Sequence, residues 1–189
     1  MVAADAALPE RGLVLVTGPS RSGKSRWAEH LAAHSQRQVV YVATGPTAAD
    51  DSSWAQRVSR HQRRRPEAWR TLEVGGALQA SLVDLATEPD LLVLIDSLGT
   101  WVAAHLDDDS QRWQSCVEAL LAQLDGRRQL VLLVCEEVGW GVVPATAIGG
   151  LFRDRLGEVQ QQLMAISAAA WLVVQGRALD LHALSVPVP

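Results

Sequence analysis

The sequence predicts an α/β fold in which helices cover both faces of a mostly parallel sheet. Short apolar runs, rich in branched side chains, alternate with amphipathic stretches from Leu13 onward, a pattern typical of parallel strands joined by helices. The chain has 189 residues, of which 48% are hydrophobic and 20% are charged. This composition excludes disorder over most of the length and suits one compact domain.

The predicted elements follow one another without a linker or an internal repeat. Residues 1–11 are small, polar and proline-containing, so we expect a flexible leader before one domain over 12–189. Short branched runs predict strands at 13–17, 38–43, 91–96, 130–135 and 171–175. Amphipathic patterns predict helices at 24–34, 52–64, 76–86, 97–105, 111–124 and 148–170. Two further segments fit a short strand (69–74) and a hairpin or edge strand (178–184).

Charge and cysteine content limit the function classes. Seventeen basic and 21 acidic residues give a net charge of −4, which disfavours general binding of nucleic acid. Two cysteines are too few for a disulfide framework, and neither a signal peptide nor a membrane span is recognisable. We therefore expect a cytoplasmic protein. Its cysteines and four of its tryptophans should pack in the core or an interface, namely Trp27, Trp101, Trp113 and Trp171.

A phosphate-binding loop follows the first predicted strand. The run GPSRSGKS fits the pattern G-x-x-x-x-G-K-[ST] and lies between an apolar run and a helical pattern, as that motif requires. The two glycines permit the backbone angles that turn N–H groups towards a phosphate, Lys24 supplies a cation for the β and γ oxygens, and Ser25 offers a hydroxyl to Mg²⁺. The phosphate loop consists of Gly18, Pro19, Ser20, Arg21, Ser22, Gly23, Lys24 and Ser25.

A carboxylate ends the strand predicted at 91–96. In a parallel sheet the carboxyl ends of the strands open onto the ligand crevice, so Asp96 could hold Mg²⁺, directly or through water, or contact the nucleotide itself. The alternative is that Asp96 caps the helix that follows it. The phosphate loop favours the functional interpretation.

A basic segment, residues 57–73, contains a histidine among arginines. In a helix Arg57, Arg60, His61 and Arg64 would share one face, and Pro66 would end that helix. Such a face becomes favourable when an anion neutralises it, so we favour polyphosphate binding over a merely solvated face, and both over nucleic acid.

Among the histidines, His61 is the one whose neighbours favour a chemical role. A neutral imidazole can attack phosphorus and form a phosphoramidate, and cationic neighbours disfavour the protonated ring. We therefore expect His61 to be a nucleophile. The other histidines are expected to have no chemical role; they are His30, His34, His105 and His182.

Several motifs together resemble one family. They are VTGPSRSGKSRWAE, VVYVATG, RVSRHQRRRPEAWRTLE, LIDSLGTWVAAHL, EEVGWGVVP and FRDRLGEVQQQL. They are similar to motifs of the bifunctional adenosylcobinamide kinase/adenosylcobinamide-phosphate guanylyltransferases, the CobU/CobP enzymes of cobalamin biosynthesis. The resemblance implies a RecA-like P-loop NTPase fold assembled as a homotrimer. It also implies that ATP or GTP phosphorylates adenosylcobinamide, and that GMP passes from GTP through a covalent bond to His61 onto the phosphate, releasing pyrophosphate.

The resemblance further implies which residues contact the nucleotide. Besides the phosphate loop they are Thr44, Gly45, Pro46, Gln62, Arg63, Arg64, Arg65, Glu73 and Asp96. The chain departs from the family pattern at Glu136 and Gln160, where the family usually has Asn, and at Ala169 and Ala170, where Ala-Asp is usual. The EEVGWGVVP segment is either a substrate lid or a packed turn. Two other functions stay open: a small-molecule P-loop kinase in which His61 only binds phosphate, and a nucleotide-dependent binding module.

Overall fold

The strands form one mostly parallel sheet, as the sequence predicts. The computed structural model describes residues 8–46, 58–59 and 62–188. Within these ranges the sheet has seven strands in the order β3-β2-β4-β5-β1-β6-β7, and only β7 runs antiparallel to its neighbour. The strands are β1 (Gly12–Gly18), β2 (Val39–Ala43), β3 (Arg70–Glu73), β4 (Leu92–Asp96), β5 (Leu130–Glu136), β6 (Ser167–Val174) and β7 (Arg177–Asp180).

Helices cover both faces of the sheet because its central strands are apolar on both sides. Along β1, Leu13 and Leu15 pack into one core cluster while Val14 and Val16 pack into another. The first cluster contains the apolar faces of four helices, and the second contains that of α1. The helices are α1 (Lys24–His34), α2 (Leu78–Leu85), α3 (Leu98–Ala104), α4 (Ser110–Leu124), α5 (Ala147–Ile166) and the short α6 (Leu181–Leu184).

Most predicted elements are confirmed within one or two residues. The segment at 69–74 is strand β3 at the sheet edge, and 178–184 starts as the hairpin strand β7 and ends as α6. In the predicted helix 52–64, Val58, Ser59 and residues 62–64 are helical. The rest of that segment, including Arg57, Arg60 and His61, lies outside the described residues.

The helix predicted over 148–170 is wrong at its end. Helix α5 stops at Ile166, and Ser167 begins strand β6. The Ser-Ala-Ala-Ala run has good local helix propensity, but that propensity amounts to only a few tenths of a kcal/mol per residue. Here the run pairs with the edge of β1 that faces away from β5, and the hydrogen bonds and packing of the sheet outweigh the helix propensity. Ser167 closes the helix by donating its hydroxyl to the Met164 carbonyl at 2.8 Å.

The predicted packing of the tryptophans and cysteines agrees with the structure. Trp101 and Trp113 are buried in the core, and Trp27 meets Trp171 edge to face with ring centroids 5.5 Å apart. Cys135 is buried, Cys116 is half-buried, and both are free thiols. No helix in the described part of the chain is long and apolar enough to cross a bilayer.

Candidate functional site

The phosphate loop joins the carboxyl end of β1 to the start of α1. Gly18 has φ +156° and Gly23 has φ +103°, backbone angles that side chains rarely permit. Gly23 occupies the N-cap position of α1 and has no side chain to cap the first helical amides. The Gly176 N–H donates to the Ser22 carbonyl at 2.8 Å, so the β6–β7 turn supports the loop. The loop therefore has the shape of an anion cradle.

Lys24 lies inside this loop rather than in solvent. Its side chain is only 4% exposed, and its Nζ lies 3.5 Å from the Pro19 carbonyl oxygen, so the chain bends back over the loop. Ser25, the next residue, is half-buried in the first turn of α1. A cation and a hydroxyl are thus placed at the start of the helix where the motif predicts them.

A cavity of about 340 Å³ opens beside the phosphate loop at the carboxyl ends of the parallel strands. We call it the central cavity. It combines polar residues from six separate parts of the chain, as expected for a ligand site at this edge of an α/β sheet. Its lining residues are Ser20, Tyr41, Ala43, Gly45, Pro46, Val58, Gln62, Arg65, Glu73, Asp96, Ser97, Gly99, Thr100, Ala103, Glu136, Val138 and Phe152.

Asp96 lies in the wall of the central cavity at the end of β4. Its Oδ2 accepts a hydrogen bond from the Tyr41 hydroxyl at 2.6 Å. The helix cap that was the alternative role for Asp96 belongs to Ser97, which forms a capping box with Thr100. Burial, with the nearby Asp96 carboxylate as second cause, raises the pKa of Tyr41, so its hydroxyl stays a donor.

Of the three residues that follow β2, one holds two elements of the fold together and two line the cavity. Thr44 is buried, and its hydroxyl donates to the Ser97 carbonyl at 2.6 Å while accepting the Ser97 N–H at 2.8 Å. Thr44 therefore ties β2 to the junction between β4 and α3 and does not line the cavity. Gly45 and Pro46 do line it.

The described part of the basic segment reaches the cavity through Val58, Gln62, Arg65 and Glu73. Gln62 and Arg65 line it, and the Arg65 guanidinium lies 3.6 Å from the centre of the Tyr41 ring, a cation–π contact. Glu73, at the end of β3, lies on the same wall. Within the described residues the Arg65 Nε is buried without a hydrogen-bond partner. A ligand oxygen could satisfy this donor.

The other two arginines predicted to contact nucleotide make different contacts. Arg64 donates two hydrogen bonds to the Glu29 carboxylate, at 3.1 and 3.0 Å, and this interaction raises the Arg64 pKa. It fastens the basic segment to α1. Arg63 is exposed and donates to the Ser59 hydroxyl at 3.2 Å. Neither residue lines the cavity.

Two acidic residues at the end of β5 received no role from the sequence. The Glu136 carboxylate lines the central cavity, and its Oε2 accepts the Gly99 N–H at 2.8 Å. Burial raises the pKa of Glu136, although a hydrogen bond from Ser97 and the charge of Lys24 act in the opposite direction. Glu137 accepts the Thr17 hydroxyl at 2.6 Å. The available signal was the same as for Asp96: a carboxylate ending an apolar strand.

The EEVGWGVVP segment does not form a packed turn in this chain. Trp140 is 61% exposed and Val142 is 95% exposed, although Val138 lines the cavity and the Gly139 carbonyl accepts from Arg153 at 3.3 Å. We call residues 137–146 the apolar loop. Exposed apolar side chains in a segment that reaches the central cavity through Val138 argue against a packed turn.

The described residues offer possible ligands for a metal ion at two places, and the two groups differ in chemistry. Ser25 and Asp96 offer a hydroxyl and a carboxylate, the hard oxygen donors that Mg²⁺ prefers. A second group, His105, Asp108 and Cys116, has possible ligand atoms within 4.8 Å of one another. There the His105 Nδ1 lies 2.7 Å from the Asp108 Oδ2 and its Nε2 lies 3.2 Å from the Gly76 carbonyl, contacts that fit a structural hydrogen-bond network.

Comparison with known proteins agrees with this geometry. Residues 14–181 match the family model "Cobinamide kinase / cobinamide phosphate guanyltransferase". The chain is 37% identical over 178 residues to the bifunctional adenosylcobalamin biosynthesis protein CobU of Escherichia coli K12, covering 87% of this chain and 96% of the relative. It is 38% identical over 150 residues to the CobP protein of Pseudomonas aeruginosa, covering 79% and 85%.

A solved structure from Pyrococcus horikoshii OT3 shares the fold. It aligns with a TM-score of 0.56 at 8% identity, covering 89% of this chain and 85% of the other. At this identity the likeness concerns the fold alone. The parallel sheet, the phosphate loop after β1 and the family match together confirm the predicted P-loop α/β class.

Proposed function

The chain belongs to the cobinamide kinase / cobinamide phosphate guanyltransferase family, and we propose that it catalyses both reactions in cobalamin biosynthesis. In the first, ATP or GTP phosphorylates the free hydroxyl of adenosylcobinamide. In the second, GMP passes from GTP to His61 and then to adenosylcobinamide phosphate. The products of the second reaction are adenosylcobinamide-GDP and pyrophosphate.

One observation carries this proposal: the phosphate loop and the basic segment open onto the same cavity. Ser20 of the loop and Gln62 of the segment both line it. His61 precedes Gln62 in the chain, and consecutive Cα atoms are about 3.8 Å apart. A nucleotide with its phosphates in the loop would therefore extend towards the part of the chain that carries His61.

The guanylyltransferase step consists of two displacements at phosphorus. A His61 ring nitrogen attacks the α-phosphorus of GTP, the bond from that phosphorus to the bridging oxygen breaks, and pyrophosphate leaves with the electron pair. Loop N–H groups and the Lys24 ammonium stabilise the charge that develops on the leaving group. A phosphate oxygen of adenosylcobinamide phosphate then attacks the same phosphorus, and the histidine leaves.

The kinase step would use the same phosphate loop. The acceptor hydroxyl attacks the γ-phosphorus, and the nucleoside diphosphate leaves, so Lys24 again faces the charge that moves during the reaction. Ser25 and Asp96 would hold Mg²⁺, which would neutralise the β and γ oxygens. Gln62, Arg65 and the loop amides bind and orient the phosphates.

The corrinoid would approach from the apolar side of the cavity. Val138 and Phe152 line this side, and the apolar loop continues it with Trp140 and Val142 exposed. A corrin ring has large apolar faces, which such side chains could contact. In a homotrimer, which we include in the proposal, a neighbouring subunit could cover part of the same loop.

The decisive experiment is covalent labelling with GTP carrying a radioactive α-phosphate. After denaturation the wild-type protein should retain the label in an acid-labile, alkali-stable bond, as expected for a phosphoramidate. His61→Ala should retain none, whereas His34→Ala, which removes an exposed histidine on α1, should label like wild type. GTP labelled at the γ-phosphate should leave no stable label.

The outcomes also separate the alternative functions. A wild-type protein that phosphorylates adenosylcobinamide without taking up the α-label would be a P-loop kinase without a covalent intermediate. A protein that binds nucleotide but gives neither product would be a binding module. Label that persists in His61→Ala would contradict the assigned nucleophile.

A further inference from the structure

Tyr41 is a buried tyrosine that reaches the candidate site from inside the sheet and has no role in the proposed steps. It is 1% exposed in β2, and in the register of β2 with β4 it pairs with Leu94, while Ala43 pairs with Asp96. Alternate residues of a strand share one face of the sheet, so Tyr41 and Asp96 start on the same face, two residues apart along the strands. The tyrosine ring spans that distance, and its hydroxyl reaches the carboxylate.

The Tyr41 hydroxyl fixes one oxygen of the proposed magnesium residue. It donates to the Asp96 Oδ2 at 2.6 Å, and both residues line the central cavity. A phenylalanine would fill the same space in the core, so packing alone does not require the hydroxyl. Groups that hydrogen-bond to a metal-ligating side chain orient it, and their loss lowers metal affinity by about 10–100-fold. This hydrogen bond is therefore suited to preparing a carboxylate for an ion.

The ring of Tyr41 holds a second group that lines the cavity. The Arg65 guanidinium lies 3.6 Å from the ring centre, and its buried Nε has no hydrogen-bond partner among the described residues. Contact with the face of an aromatic ring holds a guanidinium in place without using its N–H donors. The two parts of one side chain thus contact the residue that we assign to the metal and a residue that we assign to the phosphates.

We propose that Tyr41 is a positioning residue that prepares Asp96 for Mg²⁺ and Arg65 for the phosphates, an inference that rests on the proposed function. It touches no reacting atom: the hydroxyl acts through Asp96 and the ring acts through Arg65. A carboxylate that is already oriented loses less conformational freedom when an ion binds, so it binds the ion more tightly. The effects of the hydroxyl and of the ring are separable by substitution.

The test measures metal binding to the protein in complex with α,β-methylene GTP, in which carbon replaces the oxygen that would leave from the α-phosphorus. Mn²⁺ is the probe, because the paramagnetic resonance signal of the free ion falls when the ion binds. Tyr41→Phe removes the hydroxyl and keeps the ring. It should raise the Mn²⁺ Kd by about 10–100-fold, while the Kd of the analogue in EDTA stays within about twofold of wild type. Kinase kcat should recover at high Mg²⁺ concentration.

Three further variants separate the ring, the carboxylate and the loss of any hydroxyl. Tyr41→Leu, which removes the ring as well, should also weaken binding of the analogue in EDTA. Asp96→Asn should weaken Mn²⁺ binding, and adding Tyr41→Phe to it should cause less than about a twofold further loss, because the hydroxyl acts through this carboxylate. Thr87→Val removes an exposed hydroxyl that donates to the Asp84 carbonyl, and it should bind both ligands like wild type.

Two results would overturn the proposal. A Mn²⁺ Kd within about twofold of wild type in Tyr41→Phe would show that the hydroxyl has no effect on the metal residue. Equal losses of Mn²⁺ binding and of analogue binding in EDTA would show that the substitution only loosens the site. Failure of the proposed function has a different signature, because the unaltered protein would then bind the analogue and Mn²⁺ but give neither kinase product nor labelled His61.

Discussion

Replacing Gly18 by alanine is expected to destabilise the protein severely although it adds a single methyl group. Gly18 is the last residue of β1 and the first of the phosphate loop, and it is buried. An added Cβ would lie 2.2 Å from the Val173 carbonyl oxygen of β6 and 2.9 Å from the Ser22 hydroxyl. The closer contact is with backbone, which cannot rotate away, so β1 and β6 would have to separate.

The size of the effect follows from two costs. Forcing an extra carbon into packed structure costs about 1–3 kcal/mol. Holding a non-glycine residue at the Gly18 φ of +156° costs a further ~1–3 kcal/mol. Together they lower the free energy of unfolding by about 2–6 kcal/mol, and at about 2–4 °C per kcal/mol for a chain of this size the melting temperature should fall by roughly 4–24 °C.

The assay is urea and thermal denaturation of the purified variant without nucleotide, so that loss of ligand binding does not contribute. Gly157→Ala is the matched control, because it lies inside helix α5 and an added Cβ would have no neighbour within 4 Å. Alanine in a helix interior is favoured over glycine by about 1 kcal/mol, so this control should gain stability. Equal melting temperatures for Gly18→Ala and wild type would refute the close approach of the loop to β6.

Two further predictions concern charged groups. Lys24→Ala should lower both kinase turnover and His61 labelling by about 10²-fold or more, because the buried ammonium faces the charge that develops in each step; intact kinase turnover would contradict a shared phosphate loop. The hydrogen bond with His105 and, after it, the charge of nearby arginines lower the pKa of Asp108. The ionised Asp108 carboxylate therefore stabilises the folded state at neutral pH, and this stabilisation is lost as the pH falls through the folded-state pKa. Asp108→Asn should therefore melt below wild type at pH 7, and the difference should shrink below about pH 4; a gap that is the same at both pH values would contradict the assignment.

The parts of the site that lie together in the chain could be predicted from it. The phosphate loop is eight consecutive residues, and its shape depends on two glycines, a preceding strand and a following helix. All of these are local, and the structure has β1 ending at Gly18 and α1 beginning at Lys24 as expected. Asp96 could be placed in the same way, because it directly follows a buried apolar run.

The contacts between distant segments could not be predicted. Arg64 bonds to Glu29, a partner 35 positions earlier, and Thr44 bonds to the backbone of Ser97. A sequence motif identifies these residues, but it does not show whether each side chain faces the cavity or holds two elements of the fold together. The roles of Gln62, Arg65 and His61 towards a nucleotide remain predictions.

The sequence by itself determined the fold class, the phosphate loop and the family, because hydrophobic period, glycine positions and motif spacing act over a few neighbouring residues. The tertiary structure alone decided that β5 lies between β1 and β4 and so brings Glu136 beside Gly18. It also decided that Ser167 starts a strand. Strand order and sheet pairing depend on which apolar surfaces bury one another across the whole chain, and no local pattern records that outcome.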